Sequence, residues 1–508
     1  MGKRNKKTIL NDILVTGYAA EGKALAKIDG KVIFIEGAVP GDTVNILVTK
    51  NKKDWAEGRA LEVVKFSAER VEPFCKHFGV CGGCKWQMLP YYKQLEYKQQ
   101  EAEQNIRRIG KQEDVMILQI AGAVEIKHYR NKLEFTASNK EYMTKPLHSP
   151  GENKDGGNAA ENNFLDNENF NEAILAGENV DFVAEETSPI APVEARRALG
   201  FHVPRIFDKV IDIYECHLMD DVNNLIRNTV RTFAHENQFD FYDIRQHTGW
   251  LRNIIIRNCS TGQLMVNVVV NYDEPASIKM LLDHLMKEVP QISTLLYTIN
   301  PKWNDSIFDL EPVTYFGKGY VTERLGELEF IISPKSFFQT NTKQAEKLYN
   351  ITGEFAGLSG NEVLYDLYCG TGSIGIFLSK KAKKIIGVEL IEQAIEDAKK
   401  NAALNNINHA YFFAGDVIKI CDDAFFETQG RPDVVITDPP RAGMHEKLVN
   451  KLLEIAAPKI VYVSCNTATQ ARDIALLSEK YRLEKIQPVD MFPHTHHIES
   501  VALLLLKG

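Results

Sequence analysis

The chain has 508 residues, 44% of them hydrophobic and 25% charged, values that exclude a collagen, a coiled coil or a wholly disordered protein. The formal net charge of -8 argues at first against a nucleic-acid partner, but residues 151–200 alone hold 11 acids and 3 bases, while residues 1–150 carry 25 bases against 18 acids. The sum hides a basic N-terminal third, so it excludes nothing about RNA or DNA, whose attraction for basic groups is local.

Residues 9–66 are short alternating apolar runs (DILVTGYA, KVIFIEGAV, TVNILVTK, RALEVVKF) broken by Gly, Pro and Asp, the pattern of a small antiparallel barrel of OB type. Residues 1–66, with 12 bases and 8 acids, form the first expected domain. A central α+β domain is expected over 67–330. It opens on a cysteine cluster, continues in a helix over 91–109 and strands such as YRNKLEFTAS, and resumes with strands at LGFHVP and VIDIYEC, a helix over 218–236 and the strand pair NIIIRN and LMVNVVV. Between these, residues 145–197 are rich in Asn, Glu and Gly, too polar to bury a core, and read as a disordered acidic insertion.

Residues 331–508 alternate strand and helix: EVLYDLYC, IGIFLSKKA, KIIGVEL, IEQAIEDAKKNAALNN, AYFFAGD, DVVITDPP, HEKLVNKLLEIA, IVYVSC and TATQARDIALLSEK. This predicts an α/β fold, a doubly wound Rossmann-like parallel sheet. Its last two strands, EKIQPVDMF and SVALLLLK, have no helix between them, so one must run antiparallel. That ending separates a methyltransferase-type sheet from a plain dinucleotide-binding one. No stretch reaches the roughly 18 apolar residues of a membrane span, and MGKRNKK leads into a strand with no signal-peptide core. The expectation is a cytoplasmic monomer with no membrane partner. Three of eight cysteines crowd between Cys75 and Cys84, which in a reducing compartment marks metal ligands or catalysts.

Asp366-Leu-Tyr-Cys-Gly370-Thr-Gly372 lies where a strand feeds a helix, and Glu389 closes the next strand 23 residues after Asp366. An acid there holds ribose hydroxyls, yet the G-x-G-x-x-G phosphate pattern is missing. A cofactor with ribose but no pyrophosphate fits, and S-adenosylmethionine is the natural candidate. Asp416, ending the third strand, would hold the adenine end or be a solvated turn residue, and Tyr368 would set a ring beside the pocket. Cys465 ends a parallel strand just before a helix starting near Thr467, a suitable cap, so the helix field should favour its thiolate. Cys369 and Cys421 lack that placement and read as structural.

Asp438-Pro439-Pro440 ends the preceding strand in the same crevice. Alone it suggests methylation of an exocyclic amine, which needs no nucleophile. With Cys465 beside it, methylation of a pyrimidine carbon becomes the better reading, because C5 of uracil turns nucleophilic only after a thiolate adds at C6. A base must then remove the C5 proton, and Glu499 is placed for it. His494, His496 and His497 read as a solvated loop. Cytosine C5 remains a third chemistry, and a non-catalytic RNA-binding assembly protein a different class of function.

In order, SPKSFFQTN (333–341), DLYCGTGSIGI, TDPPRAG, VSCN and HHIESVALL resemble the RNA uracil-5-methyltransferase family. The resemblance implies that Cys465 is the nucleophile and Glu499 the base. It implies that Gln339, Tyr368, Gly370, Gly372, Glu389, Asp416 and Asp438 bind S-adenosylmethionine, and that Phe337 and Asp438 meet the flipped uracil. Cys75-x5-Cys81-x2-Cys84 needs a fourth ligand, for which Cys216 and Cys259 are available, and spacing alone cannot separate zinc from iron-sulfur. The arrangement is similar to the 23S ribosomal RNA branch of the family, which implies a [4Fe-4S] cluster on Cys75, Cys81, Cys84 and Cys216, a TRAM domain in the barrel and 23S rRNA as partner. Its tRNA-specific enzymes resemble the chain less, being expected to lack both barrel and cluster. The insertion at 145–197 departs from that pattern.

Overall fold

The computed structural model describes residues 8–142 and 197–508, so nearly all of the expected acidic insertion lies outside the described residues. By packing, the chain divides into two compact units: residues 1–94, 138–215 and 494–496, and residues 95–137, 216–493 and 497–508. Neither has its edge at 66 or 330, so the three sequence domains stay a proposal. Among the described residues no helix is long and apolar enough to cross a membrane.

The first unit holds the expected barrel strands, β1 (Thr8–Leu14), β2 (Gly17–Tyr18), β3 (Ala24–Ile28), β4 (Lys31–Glu36), β5 (Thr43–Asn51) and β6 (Trp55–Lys65). They form one sheet in the order β1-β5-β6-β4-β3-β2. The period-two alternation turns Ala26, Ile33, Ile35, Val44, Ile46 and Ala56 into one apolar core. A buried carboxylate fixes the corner: Asp42 accepts hydrogen bonds from the backbone N–H of Val39 (2.7 Å) and Ser67 (2.9 Å), and from the Arg70 guanidinium at 2.9 and 2.7 Å.

In the second unit, β8 (Leu251–Asn258) pairs antiparallel with both β7 (Lys132–Ser138) and β9 (Leu264–Val270). Beyond them β10 (Thr294–Ile299) runs parallel to β9, and β11 (Val313–Phe316) antiparallel to β10. Helices α2 (Val222–Glu236) and α3 (Pro275–Glu288) accompany this α+β sheet. A hairpin, β12 (Val321–Leu325) and β13 (Leu328–Ile332), leads through α4 (Thr342–Ala356) into the C-terminal sheet.

That sheet has the strands β14 (Val363–Leu367), β15 (Lys384–Glu389), β16 (Ala410–Ala414), β17 (Val434–Thr437), β18 (Lys459–Ser464), β19 (Tyr481–Val489) and β20 (Glu499–Leu506). Their order is β16-β15-β14-β17-β18-β20-β19, with a two-residue strand at Met116–Ile117 on the β19 edge. The first five run parallel, and β20 is inserted antiparallel between β18 and β19, as the missing crossover helix required. Apolar side chains cover both faces, Ile385, Ile436 and Val461 on one and Ile386, Val435 and Ile460 on the other. This is what continuous apolar runs in parallel strands are for.

The loop from β19 to β20 is tied down by an ion pair with no solvent access. Lys98, on α1 (Tyr91–Arg108), reaches Asp490 at 2.7 Å, both side chains fully buried, and also the Phe492 carbonyl at 3.3 Å. Asp490 takes a second bond from the Phe492 N–H at 3.0 Å, and Gln344 on α4 donates to the Asp490 carbonyl at 2.7 Å. Burial pushes the Lys98 ammonium below its ordinary pKa, against the pull of Asp490. Removing one partner leaves a buried charge uncompensated. Asp490→Ala should therefore lower unfolding stability by about 3–5 kcal/mol in chemical denaturation, whereas the double change Lys98→Met, Asp490→Leu should recover most of it.

Candidate active site

The turn after β14 is built by backbone strain and one buried acid. Tyr368, Gly370 and Gly372 all take left-handed backbone conformations (φ 61°, 53° and 76°). A side chain on Gly372 would meet Phe412, Ile376 and Ala398 at 2.9 to 3.1 Å, so glycine is required there on both counts. The Glu389 carboxylate closes the turn from the next strand, accepting the N–H of Gly370 at 3.3 Å and of Ile391 at 3.0 Å. Asp366 is fully buried. One of its oxygens accepts the Gly375 N–H at 2.9 Å, and the other has no partner. Burial, with Asp438 and Glu389 nearby, pushes its pKa up to about 7. A cradle lined by glycines, with an orphaned acceptor at its base, fits a ligand that brings a cationic donor, as the ammonium of S-adenosylmethionine does. Asp366 was missed as a site residue because a strand-terminal aspartate carries no signal until its unpaired oxygen is seen.

Asp416 serves as a cap, its side chain accepting the Ile418 N–H at 3.0 Å at the start of the short helix Val417–Ile420. It is close enough to Tyr368 to raise that phenol's pKa, behind the larger effect of burial.

Strand register brings the expected nucleophile and base together. β18 and β20 are paired so that Ser464 faces Ser500. Cys465 leaves one strand just beyond that pair as Glu499 enters the other. Gln470 pins the junction, donating to the Tyr462 carbonyl at 2.9 Å and the Ser500 carbonyl at 3.3 Å. On the other side, the parallel ladder of β14 and β17 ends where the Asp438 N–H reaches the Leu367 carbonyl at 3.3 Å. Pro439 and Pro440 have no N–H with which to continue it.

The acids of this crevice hold their protons more tightly than free carboxylates do. Burial pushes Asp438 up to about 7, and Glu499, buried beside Asp438, rises well above the usual carboxylate range against the opposing charge of Arg441. The Cys465 thiol is pushed up to about 11, first by burial and then by Glu499 and Asp438. These effects act against the helix field that was expected to favour the thiolate. The helix α5 (Thr467–Leu477) is capped by Asn466, not Thr467, and the Asn466 side chain accepts the N–H of Ala468 (3.0 Å) and Thr469 (3.3 Å). The first donors of the helix are thus already used. Arg441, through its guanidinium, lowers the pKa of both Cys465 and Glu499 against the effects of burial and the nearby acids. Its carbonyl accepts from Asn466 and Thr469 at 3.3 and 3.2 Å, and its guanidinium meets the His497 ring. Sequence reasoning missed it as a site residue, since an arginine after Asp-Pro-Pro looks like a surface charge.

The segment 333–341 is held from several sides. Asn131 donates to the Gln339 carbonyl at 3.1 Å and to the Thr342 hydroxyl at 2.8 Å, and buried Glu323 accepts from Thr342 at 2.8 Å. Phe338 packs inward on Phe330, leaving Phe337 outward and 70% exposed. Gln339 is half-buried.

Two further expectations change. His494 is buried, not solvated: its ring meets Gln94 Nε2 at 3.1 Å and its backbone N–H donates to Gln94 Oε1 at 2.8 Å. The metal cluster is not shown. Cys75, Cys81 and Cys84 lie in the first unit and Cys216 is buried in the second. Cys81 Sγ accepts the Gly83 N–H at 3.5 Å, a contact suited to a thiolate ligand. Yet among the described residues no group of three or more His, Cys, Asp or Glu side chains could hold a metal ion. Cys259 and Cys421 are buried thiols, each pushed up to about 12, and Cys369 is likewise buried and raised.

Residues 314–507 match the family described as tRNA (Uracil-5-)-methyltransferase, and residues 11–61 match the TRAM domain. The chain is 46% identical over 492 residues to an uncharacterized RNA methyltransferase of Bacteroides thetaiotaomicron, covering 96% of this chain and 100% of the relative. It is 36% identical to one of Chlorobaculum tepidum, covering 98% and 97%. Among solved structures it is similar to the Pyrococcus abyssi tRNA (uracil-54, C5)-methyltransferase in complex with S-adenosyl-L-homocysteine, with TM-score 0.69, 26% identity and coverage of 98% of this chain and 100% of that one.

The raised carboxylates have a consequence for stability. Between about pH 4 and 7 the folded chain holds protons on Asp366 and Asp438 that the unfolded chain has lost, so stability falls as pH rises through that window and levels off above it. Asp438→Asn should flatten the pH dependence of Tm between pH 5 and 8, and an unchanged profile would show that Asp438 does not titrate there.

Proposed function

The chain belongs to the RNA uracil-5-methyltransferase family, S-adenosylmethionine-dependent enzymes, and on that premise we propose that it methylates C5 of one uridine in 23S rRNA through a covalent Cys465 adduct. The observation that carries the covalent reading is the strand pairing that brings Cys465 and Glu499 to one end of β18 and β20. Bound S-adenosylmethionine supplies an electrophilic methyl group. Asp366, Gln339, Tyr368, Gly370, Gly372, Glu389 and Asp416 would hold it, and Asp438 would face the uracil.

The target uridine leaves its stack to enter the crevice, with Phe337 beside it. Cys465 gives up its proton to water and its sulfur bonds to C6, placing the electron pair at C5. C5 bonds the methyl carbon as the methyl–sulfur bond breaks. Glu499, deprotonated once the site is filled, takes the C5 proton; the returning electron pair re-forms the C5–C6 double bond and expels the thiolate. Arg441 favours the charged forms of both groups.

The basic barrel would grip the RNA backbone, with Lys50 Nζ 4.6 Å from the Trp55 ring on its surface. The enzyme would act as a cytoplasmic monomer. The choice of 23S rRNA rests on the sequence resemblance alone. A tRNA substrate is the second reading, favoured by the likeness to a tRNA enzyme that spans this chain, barrel included. Mapping 5-methyluridine in rRNA and tRNA from cells with and without the gene decides between them.

Cys465→Ala should reduce methylation by at least about a thousand-fold while S-adenosylmethionine still binds; retained turnover would reject the covalent route in favour of amine methylation at Asp438. With Glu499→Gln, elimination should stall, leaving an RNA adduct that survives denaturing electrophoresis. If no adduct forms, Glu499 is not the base. We also propose a [4Fe-4S] cluster on Cys75, Cys81, Cys84 and Cys216, supported by the thiol spacing and the resemblance. Anaerobically purified protein should then be brown and contain iron and sulfide, and a colourless or zinc-loaded protein would end that proposal.

A further inference from the structure

We propose that Trp303, in the loop after β10, is a stacking platform for one unpaired base of the RNA, outside the catalytic crevice. The inference rests on the RNA reading above and adds a recognition site to it.

Trp303 is 75% exposed, yet everything behind it is fixed. Its ring lies flat on that of His247, with centroids 4.6 Å apart and planes within 6°. His247 is itself held, its Nδ1 paired with the Tyr242 hydroxyl at 3.0 Å and its backbone N–H donating to the Asp243 carbonyl at 2.7 Å. The Tyr242 ring in turn lies 4.0 Å from the guanidinium of Arg252.

Arg252, almost wholly buried, spends its donors on the loop that carries the tryptophan. It donates to the carbonyls of Asn300 (2.6 Å), Lys302 (2.5 Å) and Asn304 (3.1 Å), and to the Asp305 carboxylate at 2.9 Å. The peptide before Trp303 and the one after Asn304 are therefore clamped by one side chain. The result is a rigid indole with one face covered by imidazole and the other open to water.

Apart from Phe308, the exposed residues that follow the indole in this loop are polar: Asn304, Ser306 and Asp309. The surface is a flat aromatic plane in a largely hydrated loop and not a broad apolar patch for a protein partner. Such a plane suits a nucleobase, which stacks on an aromatic face whatever its identity. The loop is also continuous with the segment proposed to receive the flipped uridine. Lys335 Nζ donates to the Leu310 carbonyl at 3.0 Å and to Glu311 at 2.7 Å, and Lys335 is two residues before Phe337. Along the way Phe308 presents a further exposed ring, 71% accessible. An RNA strand that delivers one base to Phe337 therefore has a fixed aromatic surface waiting for a flanking base.

The test uses the full chain and two probes. With ten-nucleotide oligo(A), which has no uracil to methylate, Trp303→Ala should weaken binding about ten-fold, the scale of one lost base stack, and Trp303→Phe should keep most of it. Binding should quench the tryptophan fluorescence of the wild type and leave that of Trp303→Phe nearly unchanged. With the RNA substrate, Trp303→Ala should raise KM by a similar factor at retained kcat. Oligo(A) affinity and KM both equal to wild type in a folded Trp303→Ala protein would overturn the platform and leave the methylation reading intact. Trp303-dependent oligo(A) binding in a protein that methylates no uridine would overturn the methylation reading and support the platform.

Discussion

The site depends on one strand running the wrong way. Inserting β20 antiparallel between β18 and β19 sets Ser464 opposite Ser500, and from that pair Cys465 and Glu499 follow at the same end of the sheet. A parallel strand in that place would have put the two residues at opposite ends. A slip of one residue would have turned Glu499 to the other face. Apolar residues on both sides of β20 make such a slip costly, since Val501 and Leu503 belong to one core and Ala502 and Leu504 to the other. The buried pair of Lys98 and Asp490 fixes the point where the chain enters the loop before β20. Stability and catalytic alignment are therefore one problem in this part of the fold.

Bringing an acid and a thiol together in a dry crevice has an electrostatic cost. Asp366, Asp438 and Glu499 are all buried and all hold protons more tightly than free carboxylates, and the Cys465 thiol is raised with them. Burial thus biases these groups toward their neutral forms. The Arg441 guanidinium acts against that bias on both Cys465 and Glu499, and a cationic ligand bound near these acids would act in the same direction.

Some of this was legible from residue order. The parallel alternation, the reversed final strand, the glycine turn with its acid on the next strand, and the candidate pair Cys465 and Glu499 all follow from local pattern and from the rule that strands without a crossover helix must be antiparallel. Other points were read wrongly for identifiable reasons. Asn466 took the cap that Thr467 was expected to supply, its side chain accepting the N–H of Ala468 and Thr469. Three histidines in a polar run looked solvated, but Gln94, four hundred positions away in sequence, buries His494. The whole-chain likeness to a tRNA enzyme weakens the expectation that the barrel separates rRNA from tRNA branches.

The sequence by itself determined the kind of sheet and the family, because these are written in hydrophobic period and in short motifs whose residues lie close together. Only the tertiary structure decided the rest. The unpaired oxygen of Asp366, the direction of the Cys465 shift, the role of Arg441 and the clamp of Arg252 beneath Trp303 each depend on groups distant in sequence and on how much water the fold leaves around them. Burial and charge act through space, and order along the chain does not report either.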